Sequence, residues 1–183
     1  MIRSGIFILV SIFLAYISRR SFLHPRSHGL FRFIAWEFIL ILILKNSTHW
    51  IDERFSPVRL LSTILLFTSI YLVVHGVYLL IALGKQDKRR RSDPALLGFE
   101  KTSALVKVGV YKYIRHPMCS SLLFLAWGVF LKDPSWVGLL LVLLSSVFLI
   151  LTAKADESEC KVYFGREYRT YMETTKSFIP FLF

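Results

Sequence analysis

The stretch "RHPMCSSLLFLAWGVFLKDPSWVGLLLVLLSSVFLILTAKADE", residues 115–157, decides the fold of this chain. Two apolar runs, 118–131 and 135–153, are separated by Lys132-Asp133-Pro134, where two charges and a proline stop one helix before the next begins. The pattern predicts a helical hairpin. Its first arm has 14 residues, about 21 Å of helix, short for a bilayer core of about 30 Å. A hairpin returns the chain to the level it left, so Arg115 and His116 before the first arm meet Asp156 and Glu157 after the second. Pro117 suits the first turn of a helix and biases His116 away from helical geometry, so both basic residues project from a bend. Ionisable groups at membrane depth persist when they pair or line a cavity.

The rest of the chain agrees with a membrane setting. Of 183 residues 55% are hydrophobic, with 16 Phe and 8 Tyr, more apolar matter than a soluble domain of this size buries. Apolar segments at 1–18, 30–44, 60–83, 118–131 and 135–153 predict an all-α integral membrane helical bundle of about five transmembrane helices ending in the short C-terminal hairpin. More than half of the 23 Lys and Arg lie in the connections 19–32 and 85–115. The positive-inside rule places these connections in the cytoplasm, with the N-terminus outside and the C-terminus inside. A bacterial inner membrane or the endoplasmic reticulum satisfies that topology. The net charge of +11 then reads as topology and contact with anionic headgroups, not as nucleic-acid binding. The whole is one membrane domain: three N-terminal spans (1–84), a cytoplasmic connection (85–117), the hairpin (118–153), and a C-terminal cytoplasmic helix and tail (154–183).

The first run reads as an uncleaved span, because no small-x-small site precedes Arg19. Cys119 and Cys160 both fall on the cytoplasmic side and suggest neither a disulfide nor a zinc site, and no metal is expected. Asn46-Ser47-Thr48 fits the glycosylation sequon. The basic cluster Lys88–Arg91 reads as a headgroup contact, followed by a turn at Ser92-Asp93-Pro94. Tyr71, His75 and Tyr78 share one face of the third helix and are expected to hydrogen-bond inside the bundle. Glu37 is expected to be paired or interfacial, and Trp36, Trp50, Trp127 and Trp136 to pack or to mark interfaces.

If the tail stays helical, Glu157, Cys160, Phe164, Tyr168 and Tyr171 share one face, with a kink at Gly165. Paired basic and acidic residues beside aromatic rings suit S-adenosylmethionine. Its carboxylate would meet Arg115 and His116, its ammonium Glu157 or Asp156, and its sulfonium and adenine the Tyr and Phe faces. A membrane-surface anchor with an ion pair accounts for the same residues, and their chemistry alone does not separate the two.

The segments "GVYKYIRHPM" (109–118) and "DESECKVYFGREYRTYMETTKSFIPF" (156–181) carry a resemblance. They are similar to the motifs G-x-Y-x-x-x-R-H-P-x-Y and E-E-x-x-L-x-x-x-F-G-x-E-Y-x-x-Y of the isoprenylcysteine carboxyl methyltransferase and phospholipid methyltransferase superfamily. The likeness spans roughly residues 105–181 and leaves the N-terminal spans untouched. It implies S-adenosylmethionine at the cytoplasmic end of the hairpin and a lipid or lipidated acceptor taken from the bilayer. Cofactor contacts would come from Tyr111, Arg115, His116, Pro117, Asp156 and Glu157, with Arg115, His116 and Glu157 catalytic. Cys119 replaces the usual Tyr, with Tyr113 a substitute for it, Ser121 a frequent Gly, and Cys160 the Leu.

The expectation is isoprenylcysteine carboxyl methyltransferase-like methyl transfer. A carboxylate acceptor is already ionised near neutral pH and needs no base, whereas an amine would want His116 or Glu157 as one. Phospholipid amine or small-thiol methylation, an NADPH-dependent membrane reductase and a non-catalytic membrane scaffold are the alternatives.

Overall fold

The computed structural model describes residues 2–23, 27–50, 56–85 and 96–180. Among them are six α-helices and no strand: α1 Ile2–Ser18, α2 His28–Asn46, α3 Pro57–Leu83, α4 Pro117–Phe130, α5 Trp136–Phe164 and α6 Arg166–Thr174. The basic cluster Lys88–Arg91 and the turn at Ser92-Asp93-Pro94 lie outside the described residues.

Local chemistry sets the boundaries of the hairpin. Pro117 opens α4, its missing N–H being one that a helix start leaves unused. Ser135 caps α5, its Oγ accepting from Gly138 N at 3.1 Å. Gly165 ends α5 at φ 59°, where a side chain would be strained, and α6 turns away from it. The predicted kink is therefore present.

Helix α3 packs along α4, α2 along α5, and α4 against α5, while α1 leans on α2. The core lies between α2, α4 and α5, where Ala35, Ile39, Leu42, Ala126, Val129, Val142 and Leu149 are buried. Small residues let the backbones close in. A Cβ on Gly128 would stand 2.9 Å from the Leu66 side chain and 3.2 Å from Ser62 O, and Ser62 Oγ donates to Gly128 O at 2.7 Å.

Two helices, α3 with 27 residues and α5 with 29, are long and apolar enough to cross a membrane. Helices α1 and α4 are apolar but shorter, with 17 and 14 residues. The outer faces of α1, α3 and α5 carry exposed apolar side chains such as Ile12, Phe67, Val74 and Leu140, as suits a hydrocarbon surrounding.

Several expectations change. Tyr71 and Tyr78 are 58% and 64% exposed, so their shared face looks out of the bundle, and His75 stacks on Tyr71 at 5.5 Å. Asn46 is fully buried, and its Nδ2 donates to Val129 O at 2.8 Å. That amide is a tie between α2 and α4, which leaves no room for a glycan. Glu37 keeps to its expectation on one side only: Oε2 accepts from Ser11 Oγ at 2.7 Å, while Oε1 is buried without a hydrogen-bond partner among the described residues.

Candidate active site

Pro117 holds His116 at φ −119°, ψ 60°, outside the helix. The backbone freed by this bend pairs with the tail: Arg115 N donates to Lys176 O at 2.8 Å, His116 N to Ser177 O at 3.1 Å, and Lys176 N to Tyr113 O at 3.0 Å. The tail thus returns beside the start of α4.

The Arg115 side chain holds this junction closed. Its Nε donates to Glu157 Oε1 at 2.9 Å and its Nη2 to Ser177 Oγ at 2.8 Å. Its Nη1 reaches Thr175 O, and Met172 O at 3.3 Å. One guanidinium therefore joins α5, the end of α6 and the tail, as its fixed fork of donors allows.

His116 is 5% exposed and lies between two carboxylates. Its Nδ1 is 3.3 Å from Asp156 Oδ2 and its Nε2 is 3.3 Å from Glu157 Oε1. Both ring nitrogens can donate only in the imidazolium. Burial works against that charge, but the hydrogen bonds to Asp156 and Glu157 outweigh it and raise the His116 pKa above the ordinary histidine value.

Beyond Asp156 the charged row continues onto residues the sequence reading passed over. His28, at the start of α2, has Nδ1 3.9 Å from Asp156 Oδ1 and 2.6 Å from Glu159 Oε2. One turn on, Arg32 Nη1 contacts both oxygens of Glu100 at 3.1 and 2.9 Å, with its guanidinium carbon 5.1 Å from the Trp36 ring centroid. Glu100 sits in a short 3₁₀ turn, Gly98–Glu100, whose start it caps by accepting from Leu97 N at 2.7 Å.

These groups border a cavity of about 300 Å³. Tyr111, Arg115, His116, Pro117 and Asp156 all line it. Glu157 stands behind that wall, gripping Arg115 and His116. Phe164, Tyr168 and Tyr171 form an aromatic side, with ring centroids 6.4 Å apart for Phe164 and Tyr168 and 5.9 Å for Tyr168 and Tyr171. Tyr171 Oη donates to Tyr111 O at 2.5 Å, and burial first of all raises the Tyr168 and Tyr171 pKa values well above the phenol range. Both hydroxyls stay neutral.

Cys119 and Cys160 line the same cavity and are in no disulfide, and Cys160 Sγ donates to Asp156 Oδ1 at 3.8 Å. Tyr113 is 47% exposed and is not part of the wall, so it does not stand in for the aromatic ring that Cys119 replaces. His28, Arg32, Glu100 and Glu159 had weak signals at best. Glu159 lies three residues after Asp156 and so shares its helix face.

The family model described as phospholipid methyltransferase matches residues 58–166. That span runs from the start of α3 through the hairpin to the first residue of α6. None of the curated proteins or solved structures compared with the chain matches it.

Proposed function

The chain belongs to the phospholipid methyltransferase family, and from that membership we propose that it moves a methyl group from S-adenosylmethionine to a lipid-like acceptor held in the membrane, at the cavity between α2, α4, α5 and α6. The observation that carries this reading is the convergence of both motif segments on one cavity. At about 300 Å³ it is of the size small-molecule sites have.

The residues fit the cofactor's chemistry. Asp156 is the carboxylate on the wall and would face the ammonium, with Glu157 supporting it through His116. Arg115 and the His116 imidazolium supply positive charge for the carboxylate. Tyr111, Phe164, Tyr168 and Tyr171 offer ring faces to the sulfonium and the adenine, and Pro117 shapes the corner. When bound, the sulfonium supplies an activated methyl group. The chain's own part is to hold donor and acceptor in line and to keep water out, which can account for about 7–11 kcal/mol of barrier.

Apolar residues on the remaining wall, including Val73, Leu80, Leu97 and Leu122, suit the hydrocarbon part of an acceptor. Two acceptors follow from the motifs: the carboxylate of an isoprenylcysteine and a headgroup amine. On the side of α2 the guanidinium, Arg32, is held by Glu100, and the carboxylates of Glu100, Asp156, Glu157 and Glu159 stand on or behind the wall. Each of these carboxylates is matched by a cationic partner, Arg32, His116, Arg115 or His28.

The topology proposed with this reading is the five-span bundle, a single membrane domain with the cavity on the cytoplasmic side. The basic connections support it.

Titration calorimetry of the detergent-solubilised chain with S-adenosylhomocysteine, and with NADPH in parallel, is the test. Saturable binding of the first is the expected result. Binding of NADPH alone would make the chain a reductase, and binding of neither would leave the charged row as a scaffold element.

A further inference from the structure

His28 lies outside both motifs and outside the matched segment, yet it is built into the cavity wall. Its backbone N donates to Glu159 Oε1 at 3.1 Å and its Nδ1 is 2.6 Å from Glu159 Oε2. One carboxylate thus fixes both the main chain and the ring. Nδ1 is engaged by Glu159, and the ring lines the cavity with Nε2 as its second nitrogen. His116 differs, because both of its nitrogens face carboxylates and neither has a lone pair to offer.

We propose that His28 Nε2 accepts the proton of a protic methyl acceptor, the headgroup amine named above, and that Glu159 holds the ring as its Nδ1–H tautomer. This rests on the methyltransferase reading above. In the step, an N–H bond of the acceptor breaks, its electron pair stays on nitrogen, and the proton bonds to Nε2. The freed pair is what the sulfonium methyl donor requires. His28 returns the proton to water after product leaves.

The groups facing His28 suit this role. Glu159 and Asp156 approach from α5, Glu100 from the turn before α4, and Arg32 lies one turn along α2. Burial lowers the tendency of the ring to charge, but the hydrogen bond to Glu159 and the charges of Asp156, Glu159 and Glu100 more than offset it, so the ring takes up a proton more readily than free histidine and acts as acceptor in its neutral form, whose share grows as pH rises.

The test uses the full chain in detergent micelles, with phosphatidylethanolamine as amine probe and N-acetyl-S-farnesylcysteine as carboxylate probe. His28→Gln, which keeps a hydrogen-bonding side chain, is expected to bind S-adenosylhomocysteine as the wild type does and to lose about 10²-fold or more in kcat with the amine at neutral pH. The loss should shrink as pH rises and the amine deprotonates unaided. Nitrogen-15 NMR of the histidines, which needs no turnover, is expected to show neutral His28 protonated at Nδ1, and Glu159→Gln to weaken that preference.

An unchanged kcat in His28→Gln would overturn the proposal, as would an Nε2–H tautomer. Wild-type turnover of the carboxylate probe but not the amine would overturn it too. Loss of activity on adding EDTA would mean that His28, Asp156 and Glu159, whose ligand atoms lie within 4.8 Å of one another, hold a cation instead. A wild-type chain that binds no S-adenosylhomocysteine would remove the parent reading and this one with it, whereas a failure confined to His28→Gln would leave the parent intact.

Discussion

Arg115 Nε and Nη2, just before α4, meet Glu157 Oε1, on α5, at 2.9 and 2.8 Å, so a charged pair joins the two ends of the hairpin beside the His116 contacts. The side chains are 9% and 13% exposed, and a buried pair of this kind binds its partners more by the cost of breaking it than by net attraction.

Removing the cation should therefore be severe. Arg115→Ala leaves Glu157 without its main partner and frees the tail carbonyls, and it is expected to cost about 3–5 kcal/mol. Arg115→Lys should recover only part, because an ammonium cannot reach Glu157, Thr175 and Ser177 at once. Denaturation midpoints in detergent would show the order wild type, Lys, Ala. Equal midpoints for Lys and Ala would deny the fork its role.

Glu157→Gln is a milder change with a different readout. The amide oxygen still accepts from Arg115, so the fold should survive. The negative charge that supports His116 is gone, and S-adenosylhomocysteine affinity is expected to fall about tenfold, or ~1.4 kcal/mol. Calorimetry beside a thermal melt separates the two effects, and unchanged affinity would take Glu157 out of the site.

Stability should also depend on pH through His116. Its folded pKa is raised, after burial is outweighed by its bonds to Asp156 and Glu157. Its contribution is therefore complete below the unfolded value of about 6.5 and fades as pH climbs through the folded one. His28 is raised in the same sense. Melting temperatures are expected to fall on the alkaline side of neutrality, and His116→Gln should flatten part of that slope. A slope identical to wild type would mean that the ring is not charged in the folded state.

How far the sequence alone reaches can be judged from particular residues. The hairpin, the bend at His116-Pro117 and the kink at Gly165 follow from proline, glycine and apolar run length, which act within a few residues. The meeting of Arg115, His116, Asp156 and Glu157 follows because a hairpin must return. Spacing also puts Tyr71 and Tyr78 on one face, but not which face, and they look outward. His28 and Arg32 reach the cavity only because α2 packs along α5, and Glu100 only because the connection folds back. Those are tertiary facts that no local pattern carries. Helix length likewise leaves the number of spans open, since α4 with 14 residues is stopped short by Pro134.

Close helix approach makes a further prediction at Gly128. A Cβ there would sit 2.9 Å from Leu66 and 3.2 Å from the Ser62 carbonyl, the second of which is backbone and cannot swing aside. Gly128→Ala is expected to push α3 off α4 and to cost about 1–3 kcal/mol, with loss of the Ser62 bond. Leu66→Ala in the same chain should relieve part of the clash. No rescue would place the strain at the Ser62 carbonyl.

Asn46 presents two incompatible readings, and the structure chooses between them. As the first residue of Asn46-Ser47-Thr48 it could carry a glycan, but its amide is fully buried and donates to Val129 O at 2.8 Å and to Asp133 O at 3.4 Å. Lys45 Nζ in turn donates to its Oδ1 at 3.0 Å. Expression in glycosylating cells is expected to give a chain whose mobility is unchanged by glycosidase. Asn46→Ala should lower stability by about 1–3 kcal/mol, because the buried side-chain bonds to Val129 O and Asp133 O are lost, Val129 O keeping only Lys132 N at 3.2 Å. Asn46→Asp keeps the size but loses both N–H groups, so it should be no better than Ala. A glycosidase-sensitive shift, or an Ala variant as stable as wild type, would show that α2 and α4 do not meet at this amide.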